Sequence, residues 1–259
     1  MSSHERAHHD EANNVTYQRC QFAYEYAIPF IKGKNVLDVG CGLAYGTALM
    51  AADANTITGL DYDGDTIAHN EERYQAIKNL NFKQGTIPPI PFDDNSFDVI
   101  TSFQFIEHIA LQKEFLAECM RVLKPGGNLL VTTPNAKMSL ARNPFHVHEY
   151  TFDEMRSQIT TMCKQYQLKG LQGNETVNKY YLENGKWVRK ILKWDVLGLH
   201  KILPAKVLAW PYNVITSLMR NKLKDQIQDT THIGTKDFYL QEADLDQTWD
   251  IYLIATKNF

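Results

Sequence analysis

The stretch Asn35-Val36-Leu37-Asp38-Val39-Gly40-Cys41-Gly42-Leu43-Ala44-Tyr45-Gly46 constrains this chain more than any other. Val36, Leu37 and Val39 are strand formers in a short apolar run. Gly40 and Gly42 permit a tight turn and let a ligand approach the backbone. A helix starting just beyond offers free N–H groups and the positive end of its dipole. Strand, glycine turn and helix together make the crevice at which open α/β sheets bind nucleotides.

The type of nucleotide is narrowed by the acids. Gly40-x-Gly42-x-x-x-Gly46 does not have the spacing of the dinucleotide fingerprint. Asp38, so close to the turn, would repel a pyrophosphate and suits a ligand with positive charge. A second apolar run, Thr56-Ile57-Thr58-Gly59-Leu60, ends at Asp61, where a carboxylate can accept hydrogen bonds from ribose hydroxyls. An adenosine ligand with a cationic end and no phosphate fits both, as S-adenosylmethionine does. Asp63 and Asp65 read as acids at the start of the next helix.

Further along, strands and helices alternate. Apolar runs at 34–39, 56–61, 81–84, 97–102 and 128–133 read as strands, with helices over 45–52, 66–77 and 111–123. Such alternation implies a mostly parallel sheet. An N-terminal helix over 15–31 precedes it, with Pro29 and Gly33 closing it, and Thr151 opens a later helix with Asp153 and Glu154 in its first turn. Segments 166–171 and 249–255 are the last two strands.

Between them lies a basic, apolar segment. Lys186, Arg189, Lys190 and Lys193 fall at i, i+3, i+4 and i+7, on one helix face, with Trp187, Ile191 and Trp194 on the other side. It reads as a helical lid or subunit contact, or as an interfacial helix meeting anionic lipid through 186–224. The expected organisation is a helical cover (1–32), an α/β core (33–173 plus 234–259) and a helical insertion (174–233).

Composition bounds the setting. The net charge of −3 counts against nucleic acid as the main partner. The four cysteines, Cys20, Cys41, Cys119 and Cys163, have neither metal nor redox spacing, which suits a reducing cytoplasm. No run reaches the ~20 apolar residues that cross a bilayer, and the polar, His-rich start has no signal-peptide core.

Four motifs in order carry a resemblance. They are Val36-Leu37-Asp38-Val39-Gly40-Cys41-Gly42; Gly59-Leu60-Asp61; Pro91-Phe92 with Ser96-Phe97-Asp98-Val99-Ile100; and Arg121-Val122-Leu123-Lys124-Pro125-Gly126-Gly127 leading to Leu129-Leu130-Val131-Thr132-Thr133-Pro134-Asn135. Over roughly its first half the chain resembles class I S-adenosylmethionine-dependent methyltransferases of the group that includes ubiquinone-biosynthesis O-methyltransferases. The resemblance implies a Rossmann-like, seven-stranded, mostly parallel sheet whose last strand is antiparallel. It implies that Asp38, Gly40, Cys41 and Gly42 border the methionine part of the donor, that Asp61 holds the ribose and that Tyr62 lies by the adenine. An acid that often contacts the adenine amine is absent after Gly85, so the backbone of Thr86 and Ile87 is expected to replace it. Arg19 and Tyr17 are candidates to line the donor's carboxylate.

Glu107 and His108 follow the fourth strand, and His146 and His148 follow the fifth, so both groups lie at carboxyl ends of strands and can converge. They are candidates for a base acting on an oxygen acceptor. Gln104-x-x-Glu107-His108 with a later histidine resembles the Glu-x-x-Glu-His pattern of metal-dependent O-methyltransferases, including small-RNA 3′-terminal 2′-O-methyltransferases. That resemblance implies Glu107, His108 and His146 as ligands of a divalent metal such as magnesium, with Gln104 in place of the first acid, beside the donor. The expected activity is O-methylation of a small molecule or a glycan, and the Asn143-Pro144-Phe145-His146-x-x-Glu149 segment with the basic insertion resembles surface-polysaccharide methyltransferases. The competing readings are an RNA 2′-O-methyltransferase and a non-catalytic binding subunit. Besides the acceptor, the expected contacts are a peripheral membrane surface and a second copy of the chain.

Overall fold

In the computed structural model, residues 14–139, 143–192 and 230–259 are described. Eight strands form one sheet: β1 (Asn35–Val39), β2 (Thr56–Asp61), β3 (Leu80–Gln84), β4 (Phe97–Phe103), β5 (Leu123–Pro134), β6 (Gln165–Gly173), β7 (Phe238–Gln241) and β8 (Asp250–Thr256). Their order is β3-β2-β1-β4-β5-β8-β6-β7. β1 to β5 pair in parallel, and β8 lies antiparallel between β5 and β6. The helices are α1 (Asn14–Ile31), α2 (Tyr45–Met50), α3 (Gly64–Arg73), α4 (Gln112–Val122), α5 (Phe152–Thr160) and α6 (Glu175–Leu192).

Side-chain alternation along each strand sorts the core into two faces. Leu37, Val39, Leu129, Val131, Ile251 and Leu253 pack in a cluster with α4 and α5. Val36, Val99, Leu130, Tyr252 and Ile254 pack in a second cluster with α1 and α2. By the same parity Asp38, Thr101 and Asp250 belong to the α1 side. That parity decides which helices can reach each acid.

The sheet has one strand more than the seven expected. β7 is four residues long and pairs with β6 alone at the edge. So short a run, with only Phe238 fully buried, leaves almost no periodic signal. β5 also begins earlier than expected. Phe97 pairs with Leu123, and the register then shifts so that Val99 pairs with Asn128. Pro125-Gly126-Gly127 is therefore a bulged stretch of strand, with Gly126 in the left-handed region at φ +76°. α1 carries Pro29 in its last turn and continues to Ile31. Thr151 caps α5 through a reciprocal pairing with Glu154, as the sequence implies.

Of the insertion expected over 174–233, the described part is α6 and residues 230–233; residues 193–229 lie outside the described residues, and with them most of the expected membrane-contact segment. Among the described residues, no helix is long and apolar enough to cross a membrane.

Candidate active site

The turn after β1 is held from beneath by acids. Gly40 and Cys41 both donate from their backbone N–H to Leu60 O, at 2.8 and 3.1 Å. Asp61, at the end of β2, accepts from the Gly42 N–H at 3.0 Å and from the Asp63 N–H at 3.1 Å. Asn70 of α3 donates to Gly42 O at 2.7 Å. Gly40 and Gly42 have φ of +76° and +51°. The two glycines answer different needs. A Cβ on Gly40 would lie 2.3 Å from the Phe105 ring, whereas one on Gly42 would have nothing within 4 Å. Gly42 thus faces an open cradle at the carboxyl end of the sheet.

Asp38 lies beneath this turn. It is fully buried. Its carboxylate accepts from Thr47 Oγ1 at 2.6 Å and from Thr101 Oγ1 at 2.8 Å, with the Tyr24 hydroxyl at 3.5 Å. Burial pushes its carboxyl up to about 6, and those hydroxyls pull against the shift. Its oxygens are thus committed to side chains of α2, β4 and α1, so the structure gives Asp38 the work of tying these elements under the turn. Tyr62 is 43% exposed beside Asp61. Thr86 is exposed and Ile87 half-buried just past β3, whose end pairs with that of β2.

Past β4 the chain turns sharply. Gln104 is a non-glycine residue at φ +53°, a conformation that costs energy and concentrates at functional sites. A single 3-10 turn, Ile106–His108, follows. It is clamped to the loop after β5: the Val147 N–H donates to Glu107 O at 2.7 Å, and the Gln112 amide donates to Ile106 O at 2.8 Å and His148 O at 3.0 Å. This clamp brings together residues nearly forty positions apart.

Glu107, 1% exposed, accepts from Thr133 Oγ1 at 3.1 Å. Burial pushes its carboxyl up to about 7, with the His146 imidazole opposing the shift. His108 Nε2 lies 4.0 Å from Glu107 Oε1, and its Nδ1 lies 3.1 Å from Phe145 O. Burial, then His146, lowers the His108 imidazole to about 4, so it is neutral near pH 7. The His108 and His146 rings meet edge-on with centroids 4.8 Å apart. His146 Nδ1 lies 2.5 Å from Glu149 Oε1, and Asn143 Nδ2 lies 2.9 Å from its Nε2. Glu149 also accepts from Ser139 Oγ. Despite burial, the contacts from His146 and Ser139 hold Glu149 below the ordinary carboxylate range.

Glu107, His108 and His146 each offer a ligand atom, all within 4.8 Å of one another. Both imidazoles present Nδ1 to an oxygen outside the trio, the arrangement by which metal-binding histidines are commonly oriented. His148 stands apart, 47% exposed and 3.8 Å from Glu154. Thr133 and Glu149 stand inside quoted motifs that gave them no role, and Asp250 stands in none. Asp250 had one usable signal, an acid in step with Tyr252 and Ile254 on the α1 face of an otherwise apolar strand.

Residues 37–131 match the methyltransferase domain family. A Mycolicibacterium smegmatis protein named "Probable S-adenosylmethionine-dependent methyltransferase" is 39% identical over 153 residues, covering 57% of this chain and 58% of that one. A Coxiella burnetii ubiquinone biosynthesis O-methyltransferase is 31% identical over 125 residues, covering 48% and 53%. The matched region thus spans little more than half the length of these relatives. Among solved structures, the YcgJ protein of Bacillus subtilis aligns with a TM-score of 0.57 at 16% identity, covering 92% of this chain and 98% of that one. An S-adenosylmethionine-dependent methyltransferase of Aquifex aeolicus aligns with a TM-score of 0.51 at 18% identity, covering 63% and 93%. Both likenesses concern the fold.

Proposed function

We propose that this chain, which carries a class I S-adenosylmethionine-dependent methyltransferase domain, transfers a methyl group from S-adenosylmethionine to an oxygen of a small molecule or a glycan. The observation that carries the proposal is the adjacency of two sites at one end of the sheet. An open glycine cradle braced by Asp61 lies at β1 and β2, and a buried carboxyl with two imidazoles lies at β4 and β5.

The residues fit the donor. Gly42 leaves room where any side chain would intrude, and Asp61 supplies a nearly buried carboxylate for ribose hydroxyls. When bound, the donor supplies a methyl group already activated on a sulfonium. The protein therefore has to position the acceptor and take its proton. Burial pushes the Glu107 carboxyl up to about 7, which suits it to receive a hydroxyl proton near neutral pH.

Glu107, His108 and His146 also fit a divalent metal, which would lower the pKa of a coordinated hydroxyl. Two imidazoles and one carboxylate suit manganese, iron or zinc better than the magnesium that the sequence resemblance implies. Gln104, the fourth position of the sequence pattern, turns its amide toward Thr132 Oγ1 at 3.4 Å and toward Asp250.

Calorimetry with S-adenosylhomocysteine, with and without Mn²⁺ and with a chelator, tests the proposal. Binding in the absence of metal supports the donor cradle, and one Mn²⁺ lost on His146→Ala supports the metal. No binding of S-adenosylhomocysteine under any condition would overturn the proposal.

A further inference from the structure

One buried polar side chain beside the site has no part in the chemistry above. Gln112, the first residue of α4, is 9% exposed. Leu111, just ahead of it, makes no side-chain cap, so the start of α4 goes without the acceptor that commonly serves such ends. The Gln112 amide serves a different place. Its Nε2 donates to Ile106 O at 2.8 Å and to His148 O at 3.0 Å, which uses both of its hydrogens.

The two carbonyls belong to segments that do not hold themselves in place. Ile106 lies in the three-residue turn after β4, and His148 lies in the irregular stretch after β5. Among the described residues, the backbone link between these segments is a pivot: the Val147 and His148 N–H groups converge on one atom, Glu107 O, at 2.7 and 3.4 Å. Bonds that share one acceptor fix a distance and leave rotation about it. The Gln112 amide supplies a second point of attachment, and two points fix an orientation.

That orientation governs how the site's side chains meet. Glu107 and His108 ride on the turn, and His146 rides on the loop. His108 registers the fit directly, because its Nδ1 lies 3.1 Å from Phe145 O on the opposite segment. A carbonyl only accepts, so Nδ1 carries the proton, and the neutral ring keeps its Nε2 lone pair on the side of Glu107, 4.0 Å from Oε1. A swivel of the loop would break this bond and part His146 from the other two.

We propose that Gln112 is a positioning residue: its amide pins the turn bearing Glu107 and His108 to the loop bearing His146, and so sets the spacing of the trio and the tautomer of His108. It acts through those residues rather than on substrate. The inference rests on the reading of the trio given above, and it extends the site to the start of α4.

Two substitutions in the full chain remove the clamp with little change of shape. Gln112→Met has no donor, and Gln112→Glu sets carboxylate oxygens against the two carbonyls. In calorimetry each should bind Mn²⁺ at least tenfold more weakly than wild type, the loss typical of supports behind metal ligands. Each should melt cooperatively and, free of metal, bind S-adenosylhomocysteine within twofold of wild type, because the glycine cradle lies at β1 and β2. A structural role alone would lower Tm and spare the Mn²⁺ affinity of the folded protein.

A second measurement needs no metal. Nitrogen NMR of isotope-labelled histidine rings should show wild-type His108 with a protonated Nδ1 and a bare Nε2. In Gln112→Met the Nε2–H form, which free imidazole side chains prefer in water, should appear. The clamp is overturned if a folded variant loses less than tenfold in Mn²⁺ affinity, or if His108 already has the Nε2–H form in wild type, a result that stands even where neither variant folds. Wild type that binds S-adenosylhomocysteine but no Mn²⁺ would overturn the metal reading alone, since the ring tautomers still report the clamp.

Discussion

The two glycines of the turn should fail in different ways when a methyl group is added. At Gly42 the Cβ meets no atom within 4 Å, so only the left-handed backbone at φ +51° is penalised. That costs about 1–2 kcal/mol. For a chain of this size each kcal/mol lowers Tm by about 2–4 °C, so Gly42→Ala should melt roughly 2–8 °C below wild type. The new methyl, however, occupies the cradle. Overpacking by one carbon costs about 1–3 kcal/mol, which is a ~5- to 150-fold loss in S-adenosylhomocysteine affinity.

At Gly40 the same backbone penalty applies, and the Cβ also lies 2.3–2.4 Å from two atoms of the Phe105 ring. That ring is held edge-on against Phe115 at 5.6 Å, so it has little room to retreat. Gly40→Ala should therefore lose a further 1–3 kcal/mol or so and melt clearly below Gly42→Ala. Differential scanning calorimetry and ligand titration on the two variants read both quantities. Equal melting temperatures, or Gly42→Ala binding within twofold of wild type, would refute the division of roles.

Three further outcomes are expected. Asp38 has its carboxyl raised from 3.8 to about 6, so the folded state favours the protonated form, and stability is lost as pH rises from about 4 through about 6. Asn at this position escapes that loss, so chemical denaturation of Asp38→Asn and wild type should show the difference shifting toward Asn by up to about 3 kcal/mol between pH 4 and 7; a pH-independent difference would contradict it. Asp61→Ala removes the acceptor of the Gly42 and Asp63 N–H groups, charge-assisted bonds of about 1.5–3 kcal/mol each, and titration should show S-adenosylhomocysteine binding weakened at least tenfold. Glu107→Gln should abolish Mn²⁺ binding in calorimetry while leaving the S-adenosylhomocysteine affinity of metal-free protein within about threefold, since Glu107 stands at β4 rather than at the cradle; retained metal binding would remove Glu107 from the ligand set.

Much of the fold could be read from local pattern. β1, β2 and β4 are mostly apolar runs, the first two ended by Gly40 and Asp61, and each lies within a residue of its expected bounds. α5 announces itself through Thr151 and Glu154. What could not be read depends on distant partners. β7 is a strand only because β6 offers it an edge, and the bulge at Pro125-Gly126-Gly127 lies where residues 124–127 of β5 pass opposite the single residue Asp98 of β4. The site divides in the same way. Gly40, Gly42 and Asp61 lie within one βαβ unit, where spacing has meaning. The neutral state of His108 comes from burial and from His146, 38 positions on, and Arg19 pairs with Asp250 across 231 positions, whereas Glu149 meets His146 and Ser139 only 3 and 10 positions away.

The position of β8 has a consequence for how the molecule comes into being. Residues 250–256 emerge from the ribosome after every other strand, yet they sit inside the sheet, between β5 and β6. Until they arrive, β5 has an open apolar edge and β6 with β7 has no neighbour to dock on. The five parallel strands can assemble during synthesis, whereas β6 and β7 join them only once residues 250–256 have been made. A nascent chain halted before residue 250 would thus display half a sheet with a bare, sticky margin, the kind of surface that chaperones hold.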